Sequence, residues 1–232
     1  MQRYFSNNKI ENKFILNNDD LYHIKTVMRM TISNLIEVVY ENTLYICHLD
    51  ENYNAVIDKK IEEERIKKVY STLCIPLLTE QKFSFILQKA TELGIDEIIP
   101  VITERSKINI KEKEDKKIIR WNKICKEAAE QSKRLDIPKI NSIKKLEDLK
   151  LEGLKLVCST KEKTKSLKKV LQNVTNCDRI VIMVGPEGGI SPKEEDKLTS
   201  IGFIPVTLGN NIMRVETVPI YMLSVLNYEM ME

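Results

Sequence analysis

No stretch of the chain approaches the roughly 18 consecutive apolar residues that a membrane-crossing helix requires. The opening residues Met1-Gln2-Arg3-Tyr4-Phe5 have no apolar core of the kind a secretory leader carries, so the expected location is the cytoplasm. Five cysteines (Cys47, Cys74, Cys125, Cys158 and Cys177) are odd in number and scattered, with no CxxC pair and no histidine at metal-ligand spacing. Buried free thiols are expected of them, and no metal site. A strong charge excess is missing as well: the net charge is +3 and the sequence pI about 8.4, short of the range above about 9 that marks many nucleic-acid binders. The run from Lys111 to Lys117 mixes lysines with acids and reads as a solvated helix face. There is no GxGxxG with a downstream ribose acid and no GxxxxGK[ST], so hydride transfer and nucleotide hydrolysis both lack their loop. No internal repeat or low-complexity segment is present.

What the chain does have is 42% apolar residues in 232, enough for one large core or two modest ones. Residues 1 to about 68 read as a small β-rich domain, with alternating runs such as Ile36 to Tyr40 and Leu44 to Cys47 between Asn, Asp and Thr turns. One helix is expected inside it, from Asp20 to about Met30, with Leu21, Ile24, Val27 and Met28 as its apolar stripe. The charged stretch Lys59 to Lys68 reads as an edge strand or linker. From Val69 to the end, strands alternate with longer helices, the pattern of an α/β domain with a mainly parallel sheet. Strands are expected at Val69 to Ile75, Ile98 to Ile102, Leu154 to Cys158, Arg179 to Val184 and Ile204 to Leu208. Helices are expected from Glu80 to Leu93, through Ile118 to Leu135, from about Lys165, from Pro192 and from about Val218.

The strongest local signal is the apolar strand Ile180 to Val184 running into Gly185-Pro186-Glu187-Gly188-Gly189 and then Ile190-Ser191-Pro192-Lys193-Glu194. Ser191 suits an N-cap, Pro192 the first helical position, and Glu194 the third residue of a capping box. Three glycines in five residues let the backbone bend sharply and approach a ligand at the carboxyl end of a strand, where open α/β sheets bind ligands. An ordinary tight turn is the alternative for this segment taken alone. A second strand end has a similar layout, Leu208-Gly209-Asn210-Asn211-Ile212-Met213-Arg214-Val215-Glu216-Thr217. Two such loops side by side would form a cofactor pocket; Arg214 and Glu216 read equally well as a surface ion pair beside a helix capped by Thr217.

Taken in order, several segments resemble the bacterial 16S ribosomal RNA uridine N3-methyltransferases of the knotted SPOUT superfamily. They are Arg3-Tyr4-Phe5, His23 with Val27 to Met30, Gln88 to Gly94, Thr103-Glu104-Arg105-Ser106, Glu130 to Arg134, Gly185 to Gly189, and Leu208-Gly209 with Ile212 to Thr217. The resemblance covers nearly the whole chain. It implies a PUA-like β-barrel at residues 1–68 for docking RNA, and at residues 69–232 a SPOUT α/β domain whose trefoil knot binds S-adenosylmethionine, a rare exception to the rule against threaded chains. It further implies action on 16S ribosomal RNA or the small ribosomal subunit; a homodimer is expected because the terminal helix, with Ile220, Met222, Leu223, Val225, Leu226 and Tyr228, is apolar on more sides than a single packed face requires. Carried over residue by residue, the cofactor loops are Ser159 and Thr160; Gly185, Pro186, Glu187, Gly188 and Gly189; and Leu208, Gly209, Asn210, Ile212, Met213 and Arg214. Asn211 stands where the family usually has an arginine, and Val218 where it has a small residue.

Methylating uridine N3 requires an exposed base, loss of the imino proton, and alignment of the resulting anion with the methyl donor. Arginines suit the electrostatic part because they stay cationic. Arg134 and Arg214 are the leading catalytic candidates, then Arg105, with Glu216 or Glu130 as proton acceptor; a carboxylate held by an arginine is a poor base, which leaves bulk water as the alternative. For each arginine a salt bridge or helix cap is the competing role. Arg3, His23, Lys25 and Arg29 form the candidate RNA-docking patch. Two rival functions remain at the level of sequence: a SPOUT enzyme acting on another base or a ribose 2′-hydroxyl, and a non-catalytic RNA-binding assembly factor. The intact glycine turn speaks against the second.

Overall fold

The computed structural model describes residues 1–62, 69–106, 114–174 and 177–230. The expected linker residues from 63 to 68, and residues 111 to 113 of the charged run, lie outside them. The chain forms two compact units, the first comprising Met1–Ile66 with Lys126–Ile137, the second Lys67–Cys125 with Pro138–Glu232.

The first unit is built on a curled six-stranded sheet of β1 (Arg3–Phe5), β2 (Lys9–Ile10), β3 (Lys13–Phe14), β4 (Leu35–Tyr40), β5 (Thr43–Leu49) and β6 (Ala55–Ile61), in the order β1-β4-β5-β6-β3-β2. β1 runs parallel to β4; the other pairings are antiparallel. Alternation points Ile36 and Val38 into a core shared with Tyr4, Phe14, Ile24, Cys47, Leu49 and Ala55. The single helix expected here is instead a short helix α1 (Asn18–Tyr22), capped by Asn17, followed by a widened turn over His23–Val27 in which the Met28 N–H reaches back five residues to His23 O at 2.8 Å. Each residue of a helix advances the face by roughly 100°, so the wider turn carries the later residues off the stripe. Ile24 stays buried while Val27 and Met28 are exposed, and Arg29, at φ 50°, ends the turn.

The second unit carries an all-parallel sheet of β7 (Tyr70–Pro76), β8 (Glu97–Ile102), β9 (Lys139–Ile140), β10 (Lys144–Lys145), β11 (Leu154–Cys158), β12 (Arg179–Met183) and β13 (Phe203–Val206). Its order is β10-β8-β7-β12-β11-β13, with β9 also paired to β8. The helices are α2 (Glu80–Glu92), α3 (Glu114–Gln131), α4 (Leu167–Gln172), α5 (Pro192–Ser200) and α6 (Thr217–Met230); the residues of α3 from Lys126 on belong to the first unit. Both sheet faces are covered, which explains why these strands read as nearly continuous apolar runs. Leu73, Ile75, Ile180 and Ile182 face a core with Phe83, Leu87, Trp121 and Leu223, in which Phe83 and Trp121 stack at 4.3 Å. Cys74, Val181 and Met183 face the opposite core with Leu198 and Phe203. α6 returns to pack on α2, and Asn227 donates to Leu93 O at 2.8 Å. The expected strands and helices of this unit are all present with small shifts at their ends; the two-residue strands β9 and β10 are too short to leave a periodicity.

None of the five cysteines is in a disulfide. Burial pushes the thiols of Cys47 and Cys158 up to about 12, far from the range in which a thiolate forms at neutral pH.

Candidate functional site

Because β11, β12 and β13 run parallel with Val157 opposite Met183 and Cys158 opposite Val206, their carboxyl ends finish together. Three loops leave this edge and enclose a cavity of about 670 Å³, within the size range of small-molecule sites. Its walls are Ser159 to Lys161 and Lys163 after β11, Gly185 to Ile190 after β12, and Thr207 to Val215 after β13, over an apolar lining from Val157, Val184, Ile190, Val215 and Val218.

The glycine turn owes its shape to particular residues. Gly189 sits at φ 70°, which an L side chain adopts only with strain, and its N–H donates to Pro186 O at 2.8 Å. A Cβ on Gly185 would lie 2.9 Å from Ile190 Cγ1, so the turn closes only over glycine. Ser191 and Glu194 then form the reciprocal capping box of α5, with Pro192 in its first turn. In the third loop Gly209 stands at φ 124°.

Charge gathers at the rim. Lys82, from α2, ion-pairs with Glu187 of the glycine turn and lies 3.7 Å from Glu216 Oε2. The hydrogen bond to Glu187 raises the Lys82 pKa above the usual lysine range, so it is cationic throughout the physiological range. Arg105 lays its stem along Gly188 and donates from Nη1 to Gly188 O at 2.6 Å. The Ser159 hydroxyl bonds Glu195 Oε1 at 2.9 Å, and Lys161 reaches the other oxygen of that carboxylate at 3.3 Å.

All thirteen cofactor-loop residues inferred from the sequence line this one cavity, as does Asn211. Arg214 lines it too and is exposed, Arg105 stands against its glycine turn, and Glu216 lies beside Lys82. Lys82, Lys163 and Glu195 were missed: they come from helices or a loop whose approach to the site leaves no local motif. The remaining candidates belong to the first unit. Arg134 is buried and paired with Asp136 at 2.5 Å. Arg3 is buried, pairing with Glu37 at 2.8 Å and donating to the Arg134 carbonyl at 3.2 Å. Its guanidinium is thus spent inside the unit, so Arg3 is not part of an exposed docking patch; the parallel register of β1 on β4, which sets Arg3 opposite Glu37, draws it in. His23 Nδ1 meets the Tyr4 hydroxyl at 3.0 Å. Lys25 and Arg29 are exposed, the former over the Tyr53 ring at 4.3 Å. Glu130 pairs with Lys126 at 2.7 Å, and Lys126 in turn with buried Asp20 at 2.6 Å.

Residues 65–227 match the family model of an RNA methyltransferase domain. Ribosomal RNA small subunit methyltransferase E of Mesomycoplasma hyopneumoniae strain 232 is 38% identical over 97% of this chain and 98% of its own. The protein of the same name from Bacillus subtilis strain 168 is 29% identical over 99% of this chain and 97% of its own. Among solved structures, ribosomal RNA small subunit methyltransferase E from Neisseria gonorrhoeae bound to S-adenosyl methionine superimposes with a TM-score of 0.85 at 27% identity, covering 98% of this chain and 97% of that one.

Proposed function

Since the chain belongs to the ribosomal RNA small subunit methyltransferase E family and carries its RNA methyltransferase domain, we propose that it methylates N3 of a uridine in 16S ribosomal RNA with S-adenosylmethionine as methyl donor. The observation that carries this reading is the meeting of three strand-terminal loops around one cavity, with a glycine turn that a Cβ would fill. An apolar lining flanked by backbone edges suits a ligand with a flat ring and polar ends, and the size matches. When bound, S-adenosylmethionine supplies an electrophilic methyl on a sulfonium.

The chain's own residues have three tasks. Gly185 to Gly189 and Leu208 to Met213 hold the donor largely through backbone, so Asn211 in place of the family arginine leaves those contacts intact. Arg214, exposed at the rim, holds the negative charge that develops on the deprotonated base. Glu216 lies 3.7 Å from the Lys82 ammonium and faces that cation rather than the base, so the imino proton passes to solvent. In the first unit Lys25 and Arg29 contact RNA phosphates, and His23 lies beside them. The chain works in the cytoplasm as a homodimer with the family's trefoil knot, its subunits meeting through α6, where Tyr228 and Tyr221 are exposed. No helix among the described residues is long and apolar enough to cross a membrane.

Incubation of the purified chain with labelled S-adenosylmethionine and small-subunit particles from a strain lacking it tests the reading. One label per 16S molecule is expected; label on no RNA, or on large-subunit RNA alone, contradicts it.

A further inference from the structure

Glu194 is almost fully buried, 8% exposed, although it sits in the first turn of a surface helix. A capping box explains one of its oxygens: Oε2 accepts the Ser191 N–H at 3.0 Å. It does not explain the other. Oε1 accepts the backbone N–H of Glu104, ninety residues earlier, at 2.7 Å. Glu104 lies in the turn after β8, closed on itself by the Ser106 N–H donating to Thr103 O at 3.0 Å and by the Thr103 and Ser106 hydroxyls at 2.7 Å. The next residue, Arg105, lays its stem along Gly188 and binds the Gly188 carbonyl. The two turns are thus joined twice, once through the Glu194 carboxylate and once through the Arg105 guanidinium, and both joints bear on the glycine wall of the cavity.

We infer that Glu194 is a positioning residue for the methyl-transfer site, its single carboxylate holding the turn after β8 and the glycine turn after β12 as one piece so that Arg105 is set against Gly188. This rests on the reading that the cavity takes S-adenosylmethionine. A carboxylate is the group the joint needs, because each of its two oxygens accepts one backbone N–H. In Glu194→Gln one of the two positions becomes an amide NH₂, which faces a donor with a donor.

Two neighbours separate positioning from mere capping. Ser191→Ala removes the reciprocal half of the cap and leaves the joint to Glu104. Arg105→Ala removes the second joint at an exposed residue, where the fold is not at stake. Calorimetric titration of each folded variant with S-adenosylmethionine, well below its melting temperature, is expected to give a wild-type Kd within twofold for Ser191→Ala. The Kd should rise at least tenfold for Glu194→Gln and for Arg105→Ala, and the double variant should be no worse than about threefold beyond the weaker-binding single one, because Glu194 acts through Arg105 and either substitution loses the same contact with Gly188. Glu194→Gln binding as tightly as Ser191→Ala, Arg105→Ala binding as wild type, or effects that simply multiply in the double variant would each overturn the role while leaving the cavity's assignment in place. A wild-type chain that does not bind S-adenosylmethionine overturns the assignment, and this role with it.

Discussion

Gly188 and Gly189 are adjacent, and they tolerate change differently. A Cβ at Gly188 would meet the Arg105 stem at 3.4 Å, a tight contact with a flexible side chain, whereas Gly189 holds φ 70°. Gly188→Ala should therefore retain stability within about 0.5 kcal/mol. Gly189→Ala should cost about 1–2 kcal/mol in urea unfolding because its backbone is left-handed. Equal losses at the two positions would contradict this. Gly188→Val, which adds a branch toward Arg105, should weaken S-adenosylmethionine binding in a folded protein; unchanged affinity would remove this turn from the site. A second residue-scale test lies in the first unit, where burial raises the Asp20 and Glu130 carboxyls above the ordinary range despite the Lys126 ammonium between them. Raised carboxyl pKa values mean that the folded state takes up these protons more readily than the unfolded one, so their charged forms cost stability as pH rises through them. Lys126 offsets that cost. Lys126→Met should lose about 3 kcal/mol at neutral pH, and the loss should shrink as pH falls and the carboxyls protonate. A loss independent of pH would contradict the pairing. Those partners lie 106 residues apart for Asp20 and Lys126, a separation that no sequence pattern registers; the i to i+4 spacing of Lys126 and Glu130 is visible, its burial is not.

At the scale of elements, whatever depends on local spacing could be read directly. Ser191, Pro192 and Glu194 announced the start of α5, and the apolar stripe of Phe83, Ile86, Leu87 and Ala90 announced α2. What failed was the continuation of α1: the stripe from Leu21 to Met28 is regular in sequence, yet the backbone widens over His23–Val27, so two of its members face outward. Strands β1, β2 and β3 are two or three residues long and carry no period of their own; their sheet neighbours define them. The turn between β5 and β6 offers a pH test. Slight burial pushes the Asp50 carboxyl up, but N–H groups of Asn54 and Asn52, with Lys13, hold it at about 2. A depressed folded pKa contributes stability above the ordinary aspartate range and loses it as pH falls toward 2. NMR titration should place the Asp50 midpoint near 2; a midpoint near 4 would show that the turn does not hold its carboxylate.

For the molecule as a whole, the alternation of strand and helix from β7 onward made an α/β architecture legible, and both sheet faces being covered explains the uninterrupted apolar strands. Less legible was the grouping of residues 126–137 with the first unit, since α3 runs on without a break in its pattern. The thirteen cofactor-loop residues were named by the family resemblance and line one cavity, whereas Lys82 reaches the same rim from a helix that looks ordinary. Dimerisation through α6 predicts a sedimentation coefficient of a dimer at micromolar concentration, and Tyr228→Asp should shift it toward monomer; a wild-type monomer with full activity would contradict it. The central claim concerns the atom that receives the methyl group. A methyl on uridine N3 removes a pairing donor and blocks the pairing edge, whereas a ribose methyl leaves that edge free but protects the adjacent linkage from alkali. Primer extension and alkaline hydrolysis of small-subunit ribosomal RNA treated with this chain should give a strong stop one nucleotide before a single uridine, together with ordinary cleavage there. Read-through with an alkali-resistant linkage would contradict the account.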